Sequence, residues 1–507
     1  MYLNRAVIFA VMLVLAGTLQ PDCAIQAKPR SKLGMHAWPF FVDWKQDGET
    51  VDTQSLGPIY ETFENPHGSY TALRPFYLYR DYPDDPSTNY SRSFLYPLFI
   101  YRDYPGHAQW SVLSLIRWSR IDTNTLPDFD TDLVNHYKKS FEIFPFYFDH
   151  DSDIPEYDYF GIFPLWGEVK NRLFYDRISW FAFPLYSKWE DNDEKTYAFL
   201  WPIFRYREGP TSSGFCIWPL FGNFQRENDY HERFALWPLL YYHQHKLYKD
   251  IPDTHIGILP LYARETREGY KREDYLWPFF GYTDSTEPEY HETRFLWPIV
   301  IQGRGTNRYI NQVAPLYSFS ERNGKKSTWF LWPIFNTKEY QMGDVDISKF
   351  RLLYFLYQDT TQTVAGNPDE FVGTKRHLWP LFSYWENQEG AKQFQILSPL
   401  EPLLPTNDEV RKVYSPIFSL YRYQYVDRQN KDMNMLFSLI HFERRPDHER
   451  LELGPIFGYE YGDSVKRVDL LKGLIGYKKA NDQKILRLFW FNIHLGGKKP
   501  ETETVEP

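Results

Sequence analysis

Eight of the 17 Trp residues are followed directly by Pro: Trp38, Trp201, Trp218, Trp237, Trp277, Trp297, Trp332 and Trp379. Random placement of 17 Trp and 36 Pro in 507 residues would give about one such pair. Proline has no N–H and a fixed φ, so it is excluded from the interior of a central strand. A chain that repeats aromatic-Pro must bend, bulge or turn at every copy. Eleven prolines from Pro145 to Pro333 stand about 19 residues apart on average. A short fixed period is the mark of a repeat architecture. A looser form of the motif occurs at Pro58, Pro75, Pro97, Pro399, Pro416 and Pro455, and copies without Pro fall near Leu115, Tyr354, Ser438, Gly473 and Trp490.

The segments between prolines identify the repeating unit. Around Pro315 and Pro333 the chain is apolar and ring-rich; between them stands Glu321-Arg322-Asn323-Gly324-Lys325-Lys326. Asn-Gly between apolar runs signals a hairpin, because both residues accept positive φ. Glu208-Gly209-Pro210, Glu268-Gly269-Tyr270 and Gly303-Arg304-Gly305 are read as equivalent polar tips. Aromatic and β-branched flanks without i, i+3, i+4 spacing argue for strands. The reading is an all-β, antiparallel up-and-down meander of about two dozen hairpin or strand repeats of ~19 residues. At each Pro the chain either bends between layers or turns a corner. In both cases the rings, 40 Tyr, 40 Phe and 17 Trp, are expected to collect on a shared buried axis.

Residues 1–27 read as a signal peptide. Arg5 precedes a 12-residue apolar run from Ala6 to Gly17, too short for a helical span. No other stretch is long and apolar enough to form a transmembrane helix. The chain is therefore expected to be exported, to the periplasm, outer membrane or surface of a bacterium. A single β-repeat array is expected over 28–497, with an irregular insertion at 106–140 and a disordered tail at 498–507. Two Cys exclude a disulfide scaffold, and Cys216 in an apolar stretch reads as a buried filler. A formal charge of −9 excludes a general nucleic-acid binder.

Repeats such as Phe330-Leu331-Trp332-Pro333-Ile334-Phe335 resemble those of the bacterial β-flower proteins. The resemblance covers most of the chain beyond residue 27 and implies radial hairpins around an aromatic-Pro inner corner. It implies no activity and no site residues.

Candidate chemistry is sparse. Asp128, Asp130 and Asp132, and Asp149, Asp151 and Asp153, form two alternating carboxylate runs. Such runs suit Ca²⁺, a hard cation, but neither has the Gly or the Glu of a calcium loop, and both also read as solvated acidic turns. His243 and His245 lie on one face of a strand, a half-site for Zn²⁺ or Cu²⁺ with no third ligand fixed by spacing. No catalytic residue and no cofactor is assigned. The leading expectation is a non-catalytic, exported envelope protein with a structural or binding role. The alternatives are an outer-membrane β-barrel for transport or export, and an envelope glycan-binding protein or glycosidase.

Overall fold

The computed structural model describes residues 32–46, 49–83, 88–121, 137–152, 154–404, 407–480 and 483–496. Residues 1–27, Asp128, Asp130, Asp132, Asp153 and the 498–507 tail lie outside them. The described residues form 46 strands, here numbered β1 to β46 in chain order, from β1 (Lys32–Ala37) to β46 (Phe491–Gly496). Most are six residues long, about 20 Å. The chain divides into two compact units, Met1–Pro97 with Met342–Pro507, and Leu98–Gln341. Within each, consecutive strands pair antiparallel, as from β16 (Tyr186–Asp191) through β17 (Glu194–Phe199) and β18 (Phe204–Glu208) to β19 (Ser212–Ile217).

The two kinds of connection alternate. Polar tips close one edge: Arg322 faces Lys325 across Asn323-Gly324, both with positive φ, as a type I′ turn requires. Aromatic-Pro corners close the other edge. Trp-Pro is thus a turn between hairpins and not a bend within a strand. All eight Trp-Pro bonds are cis. The copies without Pro at Leu115, Tyr354, Ser438, Gly473 and Trp490 are also turns. Two readings need correction. The tip assigned to Gly303-Arg304-Gly305 lies at Thr306-Asn307, because β28 (Val300–Gly305) continues through all three residues. Pro416 is not a corner but sits in a short helix, α2 (Ser415–Phe418), after α1 (Asp408–Val413). Within the 106–140 segment, His107–Val112 and Ile116–Ile121 form an ordinary hairpin.

The interior is not built from rings. Among the described residues, buried polar and charged side chains outnumber buried apolar ones about two to one. Trp44 and Trp180 are buried, and neither precedes Pro. In β27 (Glu289–Phe295) the buried positions are Tyr290, Glu292 and Arg294, and the outward ones are Glu289, His291, Thr293 and Phe295. Arg294 shows how such a layer is satisfied. Its Nη1 donates to Thr283 Oγ1 at 2.7 Å and Glu292 Oε1 at 2.6 Å. Its Nη2 donates to Asp274 Oδ1 at 3.0 Å and the Tyr282 carbonyl at 3.1 Å, and Nε to Asp274 Oδ1 at 3.2 Å. Five N–H donors thus meet five acceptor contacts across three strands. Cys216 is fully buried, beside Arg205 Nε at 3.3 Å.

Candidate functional site: an exposed apolar rim

The corners of an up-and-down meander all fall on one edge of its sheet. In the Leu98–Gln341 unit they are joined side by side. Trp201 N donates to Pro184 O, Trp218 N to Ile203 O, Leu236 N to Leu220 O, Leu276 N to Leu261 O, Trp297 N to Phe279 O and Leu331 N to Leu316 O, each at 2.7–2.8 Å. Every hairpin adds two strands, so corners recur about every 10 Å along the rim. Rings at equivalent positions touch: Phe163 and Phe183 centroids are 5.2 Å apart, Phe183 and Trp201 5.7 Å.

This rim faces solvent. The six Trp of its Trp-Pro corners are 38–55% exposed, with Trp332 the most open. The expected buried axis of rings is therefore not found in this unit. The physical reason is geometric. A turn projects beyond the last paired residues of its strands, so neighbouring strands cover it only in part, as where Phe163 and Phe183 pack on the buried Phe148, Val169 and Trp180. In the other unit Trp38 and Trp379 are half-buried, their indole N–H groups donating to Phe437 O at 2.9 Å and Pro399 O at 2.8 Å.

The residue before five of these six Trp sharpens the point. Leu200, Leu236, Leu276, Leu296 and Leu331 all have φ between 44° and 50°. A left-handed conformation costs an L-residue roughly 1–2 kcal/mol, and Gly would adopt it freely. Yet each position carries Leu, and these side chains are 37–53% exposed. Their burial does not explain a large apolar residue in a strained conformation.

The remaining sequence candidates are placed as follows. Asp149 and Asp151 project from the exposed face of β12 (Tyr147–Ser152), over a shallow cavity of about 630 Å³ also lined by His150, Asp158 and Glu168. His243 and His245 share a face of β22 (Leu240–His245), as read from spacing. Pairing brings His255 opposite His243, a neighbour that spacing alone missed. His245 Nε2 lies 3.4 Å from Glu232 Oε1. Burial pulls the His243 and His255 pKa values down. Neither the Asp pair nor the His face brings three donor atoms within 4.8 Å of one another; among the described residues Asp432, His441 and Glu443 do. Sequence reasoning missed that group because its members are split between two strands. Among the described residues, no helix is long and apolar enough to cross a membrane. No protein-family model matches the chain, and no curated protein is significantly similar to it.

Proposed function

We propose that this is a non-catalytic, exported β-repeat protein of the cell envelope that binds a lipid surface along its apolar rim. The observation that carries the reading is the row of exposed Leu-Trp-Pro corners, each holding Leu at positive φ. Apart from the exposed Leu173-Phe174 tip between the strands Trp166–Arg172 and Tyr175–Phe181, polarity is divided along the strand axis. Charged tips such as Glu321 to Lys326 lie about 20 Å from the rim, roughly the length of a six-residue strand. Immersing the rim by 5–10 Å, as interfacial segments do, leaves those tips in water. Trp is also the residue favoured at the headgroup level of a lipid surface.

A lipid-spanning barrel is disfavoured by the strands themselves. They are mostly six residues long against the ~9–11 needed, and outward positions such as Glu289, His291 and Thr293 are polar. With a net charge of −9, attraction must come from apolar burial and not from anionic lipid. The test is flotation of purified protein, lacking residues 1–27, with phosphatidylcholine vesicles. Binding should persist in about 1 M salt, because apolar burial is not screened. Protein that stays at the bottom of the gradient, or that binds glycans but not vesicles, overturns the reading.

A further inference from the structure

In the unit formed by Met1–Pro97 and Met342–Pro507, β39 (Lys431–Met435) and β40 (Ile440–Arg445) form an antiparallel pair. Asp432 stands opposite Glu443 and Asn434 opposite His441. Side chains of paired residues, and of residues two apart, share a face. The pairing therefore gathers Asp432, His441 and Glu443 on one side. That side is covered by β1 and by Trp44 of β2 (Phe41–Gln46). Leu33 N lies 3.1 and 3.2 Å from the two Glu443 carboxylate oxygens. The His36 ring stacks on His441 at 6.5 Å, and Trp44 meets it edge-on at 6.2 Å. His441 is 1% exposed and Glu443 fully buried, while the Asp432 side chain is 26% exposed and forms the open side.

The orientation of His441 is the telling feature. Its Nδ1 is 2.6 Å from Asn434 Oδ1, an acceptor, so Nδ1 carries the proton and donates. In the neutral ring Nε2 then carries the lone pair. It is buried without a hydrogen-bond partner, 3.8 Å from Glu443 Oε2. A lone pair buried against a carboxylate is repulsive, and a buried acceptor left unsatisfied is destabilising. Nε2 and the carboxylate oxygens of Asp432 and Glu443 all lie within 4.8 Å of one another. A cation among them converts repulsion into coordination.

We infer that Asp432, His441 and Glu443 bind a divalent first-row transition cation, with the fourth position open to solvent beside Asp432. The surroundings are those of a supported site. His448 Nε2 is 3.0 Å from Glu443 Oε1, and Arg445 Nη2 is 2.9 Å from both Asp432 oxygens, so each carboxylate is oriented by a neighbouring donor, as Asn434 orients the imidazole. One imidazole with two carboxylates suits Zn²⁺ and its neighbours better than Ca²⁺ or Mg²⁺, which take oxygen ligands. Arg445 also lies 3.7 Å from Glu443 Oε2 and offsets part of the negative charge. The affinity should therefore be moderate.

The test uses chelator-stripped full-length mature protein, titrated with ZnCl₂ by calorimetry and against a chromophoric chelator. One equivalent should bind with Kd of about 10 μM or tighter, and Asp432→Asn and His441→Gln should each weaken it at least ~10-fold. Asp432→Asn is the safer variant, because the side chain is partly exposed and keeps its shape. His243→Gln/His245→Gln, on the other histidine-bearing face, should bind as the parent does. Wild-type binding weaker than ~100 μM, equal competition by Ca²⁺, or unchanged affinity in Asp432→Asn overturns the assignment.

Discussion

Replacing Arg294 by Met tests the polar interior most directly. The side chain is 3% exposed and lies 2.6 Å from Glu292 and 3.0 Å from Asp274. Both carboxylates are themselves largely buried. Breaking a buried pair by removing one partner typically costs about 3–5 kcal/mol, because the remaining charge is stranded. Compensation here is partial. Asp274 keeps Arg272 Nε at 2.8 Å, and Glu292 keeps Arg308 Nη2 at 3.3 Å and the Tyr290 hydroxyl. The cost should therefore sit near the lower end, about 3 kcal/mol. In a repeat array such a loss acts locally and is not read well from one global melt. Native-state hydrogen exchange is the suitable assay. Amides of β25 (Tyr270–Tyr275), β26 (Phe280–Thr286) and β27 should lose about 100-fold protection, since 1.4 kcal/mol is a factor of ten. Strands of the other unit should be unaffected. The variant Asp274→Asn/Glu292→Gln/Arg294→Met removes all three charges and should recover most of the loss. Unchanged exchange in β25–β27 of the single variant would refute the claim that this network holds the layer.

On the rim, Trp297 and Trp332 are 42% and 55% exposed. Of the ~250 Å² of a Trp side chain this leaves about 105 and 140 Å² to immerse, roughly 2.5–3.5 kcal/mol each. Trp297→Ser/Trp332→Ser should lower vesicle partitioning at least tenfold, measured by flotation, while Trp180→Ala, at 7% exposure, should cost stability of about 3–5 kcal/mol. Leu276→Gly should weaken vesicle binding yet leave stability within about 1 kcal/mol, because relief of positive φ offsets lost contacts; a large drop in melting temperature would show that rim leucines serve packing. His150 and His377 are each brought down to about 4, first by burial and then by nearby cations, Arg172 for one and Lys375 and Arg351 for the other. Glu142 and Asp158 also face His150. The unfolded chain takes up protons near pH 6.5 that the folded one refuses, so stability is full above 6.5 and falls as pH drops toward 4, by up to about 1.4 kcal/mol per pH unit and residue. His377→Gln should flatten that slope in acid melts, and a slope unchanged by the substitution would remove His377 from the account. Finally, Gly167 has φ 141°, and a Cβ there would stand 2.1 Å from Gly161 Cα and 2.6 Å from Phe160 O. Gly167→Ala should cost about 3 kcal/mol or more, seen as local exchange in β13 (Tyr159–Ile162) and β14 (Trp166–Arg172).

The period, the strand class and the alternation of tip and corner were legible because they rest on backbone chemistry. Asn323-Gly324 demands positive φ, and Pro333 forbids a ladder N–H, whatever surrounds them. What was not legible is which side of each element faces water. Phe330-Leu331-Trp332-Pro333 is apolar at successive positions, so it has no alternation from which to assign an inward face, and an apolar block reads as core by default. In β27 the outward residues His291 and Thr293 and the inward Glu292 and Arg294 are all polar, so period-2 alternation carries no hydrophobic signal there either. The metal candidates failed for a related reason. Spacing along one strand found His243 and His245, but Asp432 meets His441 and Glu443 only through pairing of two strands, which a sequence read without contacts does not supply.

The same absence of hydrophobic alternation bears on how the chain avoids mispairing. A one-residue slip flips every side chain of a strand to the other face, and apolar alternation normally penalises it. Near-identical Leu-Trp-Pro corners cannot tell one neighbour from the next. The buried charges can, because each set is particular to its place: Arg74 with Glu61, Arg294 with Asp274 and Glu292, Arg450 with Glu452. A slipped or exchanged hairpin would strand at least one of these charges, at the several kcal/mol that breaking a buried pair costs. On this argument the ion pairs specify register even where they add little net stability, a role buried polar groups fill in some other folds. The triple neutral variant at Asp274, Glu292 and Arg294 separates the two roles. It should regain native exchange protection once folded, yet give a lower yield of native protein on refolding from denaturant than the parent does. Equal yields would leave the network with stability as its only role.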